Sequence, residues 1–260
     1  MIIEKVFRSA EPLLKNRIVT DAVLGLSLTA VELDKTDIGL SYILRERLPA
    51  GCSAFGFAQN VIGQPAIDVG RLVLEGSDDA QRGVGMAVIT AATRALNLPD
   101  EPRSATPFGL QVQKDDRIGM IGYIPPVADQ LAGLSSQVYI FDKGLEVSGG
   151  EGAVKVLDMS QQAEILPRCD LMIISGTTLI NGSIDQLLAW CSNAREIVLV
   201  GSSTPMLADA FADTKVTALA GSWWDPEYKD EMFKILSLSG GISHLKRMMI
   251  KKLVPVVQND

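Results

Sequence analysis

Short apolar runs recur through the second half of the chain, and stretches long enough to form a helix separate them. Strands of a parallel sheet that are buried on both faces are typically continuous apolar runs, and crossover helices join them. The pattern therefore predicts an α/β fold with a parallel sheet covered by helices on both faces. The five runs occupy residues 118–122, 138–142, 171–176, 197–201 and 216–221.

The first hundred residues follow a different order, with extended stretches first and helices afterwards. A first helix is predicted over 1–17, then extended stretches over 19–33 and 38–44 joined by a turn at 34–37, then helices over 65–75 and 79–96. Such an order indicates an α+β unit. The proline-rich stretch that follows cannot sustain a helix. We predict a smaller α+β domain over 1–98, a linker over 99–115 and a Rossmann-like domain over 116–260.

Helix start signals follow the apolar runs. Proline is favoured in the first turn of a helix, and the pairs Pro125-Pro126, Thr204-Pro205 and Asp225-Pro226 predict three helix starts. Ser183 with Gln186 predicts a capping box for a fourth helix.

Composition and charge narrow the classes of partner. A net charge of −7 opposes a nucleic-acid backbone, so we expect no nucleic-acid partner. No apolar run is long enough for a membrane span and no secretory signal opens the chain, so we expect no membrane partner and a cytoplasmic location. Cys52, Cys169 and Cys191 are widely spaced, which predicts reduced, mostly buried thiols. Whether the chain forms a homo-oligomer is left open by the sequence.

Catalytic and metal-binding constellations are scarce. The single histidine, His244, lies in a basic segment without an evident serine or cysteine partner, and no G-x-S-x-G motif occurs. One histidine and three scattered cysteines also lack metal-ligand spacing. The residues alone assign no catalytic residue and no metal ligand, and they leave open whether the chain is an enzyme.

The first strand-to-helix turn, with Gly119, Gly122, Tyr123 and Pro125, has two glycines of a dinucleotide fingerprint and proline where the third would stand. Asp142 ends the second run, where dinucleotide-binding folds place a ribose-binding carboxylate. A solvated aspartate at a strand end is an equal alternative. We predict that Gly122, Tyr123, Pro125 and Asp142 contact a ligand.

The third and fourth turns carry more hydroxyls than capping requires. In the third turn we predict that Thr177, Thr178, Asn181 and Gly182 contact a ligand. In the fourth we predict that Ser202, Ser203 and Thr204 contact a ligand, with Thr204 also the helix cap and Ser202 and Ser203 free to donate to an anion. The fifth turn, 221–225, carries Trp223 and Trp224, which either cover a ligand or, as we favour, pack against the other domain.

With GYIPP at 122–126, GTTLINGS at 176–183 and GSSTP at 201–205, the second half resembles the putative heavy-metal chelation domain, a family of uncharacterised prokaryotic proteins. The family's usual companion is an N-terminal domain similar to the enolase N-terminal fold, which the first half resembles in architecture. The resemblance implies a cleft between the two domains that binds a heavy-metal ion or a metal chelate. It carries over by position to Gly122, Pro125, Thr177, Thr178, Asn181, Gly182, Ser203 and Pro205, whereas Ser202 stands where relatives often have proline.

Three hypotheses about function follow. The first is a protein that binds a small anionic molecule or metal chelate in the interdomain cleft. The second is an enzyme that uses a nucleotide-type cofactor such as NAD or S-adenosylmethionine. The third is an assembly or regulatory module in which Trp223 and Trp224 belong to a protein interface.

Overall fold

A three-stranded antiparallel sheet forms the centre of the first part of the chain. The computed structural model describes residues 1–44, 48, 55–147 and 152–259. The sheet has the order β1-β2-β3, and helix α4 packs on its β2 and β3 strands. The strands are β1 Val19–Leu24, β2 Leu28–Leu33 and β3 Asp37–Tyr42, and the helices are α1 Ile2–Leu14, α2 Ala66–Gly70, α3 Leu72–Glu75 and α4 Asp79–Ala92.

The predicted extended stretch over 19–33 is wrong as a single element. It folds back on itself at residues 25–27, where the Gly25 amide donates to the Leu28 carbonyl, so β1 and β2 pair as a hairpin. The apolar pattern conceals this turn because Leu26 lies at its tip, 58% exposed. The predicted turn before β3 is confirmed, and Asp34 and Lys35 both have positive φ there, as tight hairpin turns require.

A seven-stranded sheet forms the second part, in the order β10-β9-β8-β7-β4-β5-β6. All neighbours are parallel except β9 and β10. Each predicted run contains or overlaps one of five strands, so the predicted α/β fold with a largely parallel sheet is confirmed. The strands are β4 Arg117–Ile121, β5 Gln137–Phe141, β6 Val154–Val156, β7 Leu171–Ser175, β8 Glu196–Val200, β9 Ala218–Trp224 and β10 Met249–Pro255.

Helices cover both faces of this sheet. Leu171 and Ile173 face the side of α5, whereas Met172 and Ile174 face the side of α7, α8 and the helices of the first part, as alternation along a strand requires. Within the described residues, no helix is long and apolar enough to cross a bilayer. The helices are α5 Pro125–Ala132, α6 Gln162–Ile165, α7 Thr177–Ile180, α8 Ile184–Trp190 and α9 Lys229–Ser237.

The two sheets share an apolar core. Trp224 at the end of β9 is fully buried among Leu28 and Leu40 of the small sheet and Met232 and Leu236 of α9. The prediction that an indole packs against the first part is therefore confirmed for Trp224. Trp223 is also buried, with Arg94 5.1 Å from its ring centroid and Lys252 4.1 Å from it.

The segment that connects the two sheets is held at both of its ends. The Lys252 ammonium donates to the Leu98 carbonyl at 2.9 Å and to Asp100 at 2.6 Å. The Arg195 guanidinium donates to both Asp116 oxygens, at 2.8 and 2.5 Å. Residues 99–115 therefore form an anchored connection along the large sheet.

We expect the Asp116→Asn variant to lose about 1 to 3 kcal/mol of unfolding free energy at neutral pH, because a charge-assisted hydrogen-bonded pair is replaced. The Arg195 guanidinium lowers the pKa of the buried Asp116 carboxyl. The contribution of the ionised Asp116 carboxylate to stability is therefore complete above the unfolded pKa of about 3.9. This contribution is lost as pH falls through the lower folded pKa. Urea unfolding from pH 7 to pH 2 should show the two proteins converging in acid. A difference independent of pH would contradict this assignment.

Candidate functional site

The order of the large sheet creates a crevice at the carboxyl ends of its strands. From β4 the chain moves outward to β5 and β6, and then returns to β7 on the other side of β4. In open α/β sheets the ligand site lies at such a reversal. A cavity of about 510 Å³ lies there, between this edge and the end of the small sheet. Its walls include Tyr42, Ile43, Gly122, Ser175, Thr177, Gly201 and Ser202.

The turn after β4 is built on Gly122, whose φ of 85° suits glycine. A Cβ there would also lie 3.0 Å from the Ser175 Cβ, so glycine lets two turns approach. The Tyr123 amide donates to Asp142 Oδ2 at 2.7 Å, and the Gly144 amide donates to Oδ1 at 2.7 Å. Gly122, Tyr123 and Asp142 line the cavity. The Asp142 carboxylate lines the cavity and also orders the first turn through its hydrogen bond with the Tyr123 amide.

Helix α5 begins at Pro125, as predicted, and the next residue is also proline. Pro126 lines the cavity, whereas Pro125 does not. Proline has no backbone N–H, so the two residues that would present amides to a pyrophosphate at a helix start present none. A dinucleotide phosphate therefore lacks its usual donors at this turn.

In the turn after β7, the predicted residues separate into two groups. Thr177 lines the cavity, and its hydroxyl lies 2.9 Å from that of Ser175, which also lines it. Thr178 is buried and donates to the Ser175 carbonyl at 2.7 Å, away from the lining. Asn181 and Gly182 also lie outside the lining. Ser175 was missed, although it directly precedes the glycine of this turn.

The predicted capping box at Ser183 is wrong. Its hydroxyl donates to Asn181 Oδ1 at 2.7 Å, and its amide donates to the same oxygen at 3.0 Å. This local turn uses Ser183 before α8 begins, so its side chain makes no capping hydrogen bond. Asn181 and Gly182, which has a φ of 74°, shape the turn that leads into α8.

The turn after β8 also differs from its prediction. Ser202 lines the cavity, whereas Ser203 and Thr204 do not. Ser203 Oγ accepts from the Tyr42 amide at 2.9 Å and lies 3.3 Å from Ser41 Oγ, so the side chain is buried against β3 and does not face the cavity. Thr204 is buried, and its hydroxyl has no hydrogen-bond partner in the described part of the chain. No helix starts at Thr204-Pro205, because the Leu207 amide donates to the Pro205 carbonyl in a tighter turn than a helix allows.

We expect Ser203→Ala to cost about 1 to 3 kcal/mol of unfolding free energy, because the Tyr42 amide loses its acceptor. Ser202→Ala is the matched control in the same turn, since its hydroxyl makes no hydrogen bond within the described residues. Thermal and urea unfolding of both variants checks this expectation. Equal stability of the two variants would mean that Ser203 does not join the two sheets.

Strand β9 takes the place of the predicted fifth turn. It continues to Trp224 because β10 pairs with it over that length, with Lys251 opposite Ser222 and Met249 opposite Trp224. Neither indole lines the cavity, whereas Ser222, Lys251, Lys252 and Glu101 do. The sequence alone could not place these charged residues beside the cavity, because nothing in the basic C-terminal segment reveals its partner strand.

The described residues do not fit a soft metal ion bound by protein side chains. They contain no group of three or more His, Cys, Asp or Glu side chains that could hold a metal. Cys169 and Cys191 are buried free thiols, as predicted, and burial raises the pKa of each to about 12, which opposes the thiolate form that binds metal. Cys52 lies outside the described residues. His244 is exposed, and its Nδ1 lies 3.2 Å from the Gly241 amide.

Comparison with known proteins gives matches over nearly the whole chain. Family models described as "Putative heavy-metal chelation" match residues 7–93 and 105–255. An uncharacterised protein of Methanocaldococcus jannaschii is 28% identical over 149 residues, which are 56% of this chain and 55% of that protein. The chain therefore matches about half the length of that curated relative.

Two solved structures share the fold. A protein of unknown function from Pyrococcus horikoshii superposes with a TM-score of 0.77 and 20% identity, covering 98% of this chain and 100% of that one. Another, from Desulfitobacterium hafniense DCB-2, gives 0.76 and 19%, covering 97% and 98%. Both are assigned to the family whose model matches residues 105–255. With that model covering more than half of the sequence, this chain belongs to the family described as "Putative heavy-metal chelation".

Proposed function

We propose that the chain binds a small anionic organic molecule, free or as a metal chelate, in the cavity at the carboxyl edge of the large sheet. One observation carries the proposal. The hydroxyls of Ser175, Thr177 and Ser202 come from two turns that follow neighbouring strands, and all three residues line the same cavity. Hydroxyls can donate to an anion or accept from a neutral group, which suits recognition of an organic ligand.

Two lysines stand on one side of the cavity lining. Lys251 and Lys252 line the cavity beside Glu101, from which the Lys251 ammonium is 3.5 Å away. The Lys252 ammonium already donates to Asp100 and Leu98, whereas the Lys251 side chain is 68% exposed and can turn toward a ligand. We therefore assign the anion-binding role to Lys251.

The donor set favours a chelate over a bare ion. Hydroxyls and carboxylates are poor ligands for soft metals, which prefer thiolates, and the two described thiols lie in the core. A metal that enters the cavity as an organic complex brings its own donor atoms. The protein then needs only to hydrogen-bond the complex and to balance its charge.

Replacement of Thr177 by valine tests the proposal. Tag-free protein is purified and its bound small molecules are measured by native mass spectrometry, with metals measured by plasma mass spectrometry. We expect a fixed mass increment in the parent and an affinity about tenfold or more weaker in the variant, since one hydrogen bond to a charged group is lost. Thr178→Val is the matched control, because Thr178 lies beside Thr177 but outside the cavity. Loss of the bound mass increment in Thr178→Val but not in Thr177→Val would contradict the proposed site.

A nucleotide-type cofactor is the second candidate, favoured by Asp142 after β5 beside the Gly122 turn. Titration with NAD and with S-adenosylmethionine tests it, and an Asp142→Ala variant that binds as tightly as the parent would argue against it. The two prolines of α5 weaken this candidate. Trp223 and Trp224, the basis of the assembly hypothesis, are buried within this chain, at 7% and 0% exposure.

A further inference from the structure

The cavity is elongated along the edge of the large sheet. Its lining includes residues from each strand between β5 and β10, or from the turn that follows it. Five interstrand spacings of about 4.8 Å place β5 and β10 roughly 24 Å apart. A cavity of about 510 Å³ that extends along this edge is long and narrow, and we call it the trough. Taken in the order of the sheet, the lining includes Asp142, Gly122, Ser175, Ser202, Ser222 and Lys251.

The two ends of the trough differ in charge. At the β5 end, each oxygen of Asp142 accepts one backbone N–H, and a carboxylate has about four acceptor sites, so it can accept further donors. At the β10 end, Asp100 holds the Lys252 ammonium, whereas the Lys251 ammonium lies 3.5 Å from Glu101 on a side chain that is 68% exposed, so it can turn to a ligand. One end therefore favours a hydrogen-bond donor or a cation, and the other favours an anion.

Between the ends, the walls are largely apolar. The hydroxyls of Ser175, Thr177 and Ser202 form the polar part of the middle. Hydrocarbon placed between the two ends would be removed from water, which is favourable in proportion to the area buried. The apolar lining includes Ile43, Leu44, Phe108 and Ile124, together with Ile242 and Met249 at the β10 end.

We propose that the ligand of this trough is an elongated organic acid that carries an amino or hydroxyl group at its far end. Its carboxylate binds Lys251, its donor group binds Asp142, and its hydrocarbon lies along the apolar walls. This inference rests on the proposed function and specifies the class of its ligand. Asp142 then selects the ligand as well as ordering the first turn.

Titration calorimetry of the full chain with ω-amino acids of four, eight and twelve carbons tests the inference, with dodecanoate as the analogue that lacks the amino group. We expect the twelve-carbon amino acid to bind at least about tenfold more tightly than the four-carbon one, because each buried methylene adds affinity. It should also bind more tightly than dodecanoate. Asp142→Asn should reduce the preference for the twelve-carbon amino acid over dodecanoate severalfold. Lys251→Gln should weaken the binding of both twelve-carbon ligands equally. A preference ratio is insensitive to a loss of folded protein.

Ser222→Phe provides a second test, since Ser222 lines the β10 end. It should weaken the twelve-carbon amino acid and dodecanoate at least about fivefold, because the carboxylate of each binds Lys251, which lies opposite Ser222 on β10. Equal affinity across chain lengths, no binding of the series, or a preference that Asp142→Asn leaves unaltered would overturn the inference. Citrate, a small organic anion, tests the proposed function separately. If citrate bound the parent and bound Thr177→Val more weakly, the proposed function would stand without this inference about an elongated ligand. If neither citrate nor the series bound, both would fail.

Discussion

Replacement of Gly39 by alanine should destabilise the protein by about 3 kcal/mol or more, because overpacking a buried contact between two backbones cannot be relieved by moving a side chain. Gly39 lies in the middle of β3, where α4 crosses it. A Cβ at this position would lie under 3.0 Å from the Ala87 carbonyl oxygen, the Ala91 amide nitrogen and the Thr90 hydroxyl. The helix would have to move away from the sheet that it covers.

Gly83→Ala is the matched control for this prediction, since Gly83 lies on the same helix. The nearest atom to its added Cβ is the Tyr42 carbonyl oxygen at 3.5 Å, an ordinary contact. Alanine should stabilise α4 there by up to about 1 kcal/mol, because it is the better helix former. Urea unfolding measures both variants. Equal unfolding free energies would show that β3 and α4 are not in the close contact described.

Gly176→Ala should have the second large effect, a loss of about 2 to 3 kcal/mol of stability together with loss of ligand binding. The backbone of Gly176 is already helical, so alanine meets no conformational penalty there. A Cβ would lie 2.7 Å from the Ser203 carbonyl carbon and 2.7 Å from the Thr204 amide nitrogen. The turns after β7 and β8 would separate, and Thr177 would move relative to Ser202.

Gly133→Ala controls for the loss of a turn glycine. Gly133 has a similar helical conformation at the end of α5, and the nearest atom to an added Cβ is the Gln130 carbonyl oxygen at 3.4 Å. We expect its stability and ligand binding to stay near those of the parent. If Gly176→Ala retained the bound mass increment of the parent, the two turns would not jointly form the site.

The buried strands could be predicted from the sequence because burial on both faces produces continuous apolar runs. The runs at 118–122 and 138–142 each begin and end within one residue of β4 and β5. Strand β6 was missed because it has only three residues, with exposed Lys155 between two valines. The sequence leaves open whether the C-terminal segment adds a strand or packs across a face, because β10 carries Lys251 and Lys252, as edge strands often carry lysine.

The turns that form the candidate site could be located from the sequence, but the direction of each side chain could not. Thr177 and Thr178 are adjacent threonines, yet only Thr177 lines the cavity. The sequence predicts that Ser203 is free for an anion, but its side chain is buried outside the cavity and accepts from the Tyr42 amide, 161 residues away in the chain. Such a contact depends on how the two sheets pack, and no local pattern records it.

A crystal structure of tag-free protein that retains its bound small molecule, with anomalous data to locate any metal, tests the central claim most directly. We predict density for an organic molecule in contact with Ser175, Thr177 and Ser202, and we predict that any metal is held by donor atoms of that molecule. A metal ion bound by side chains of the protein, such as Cys169 and Cys191, would contradict the claim. So would a ligand located away from the carboxyl edge of the large sheet.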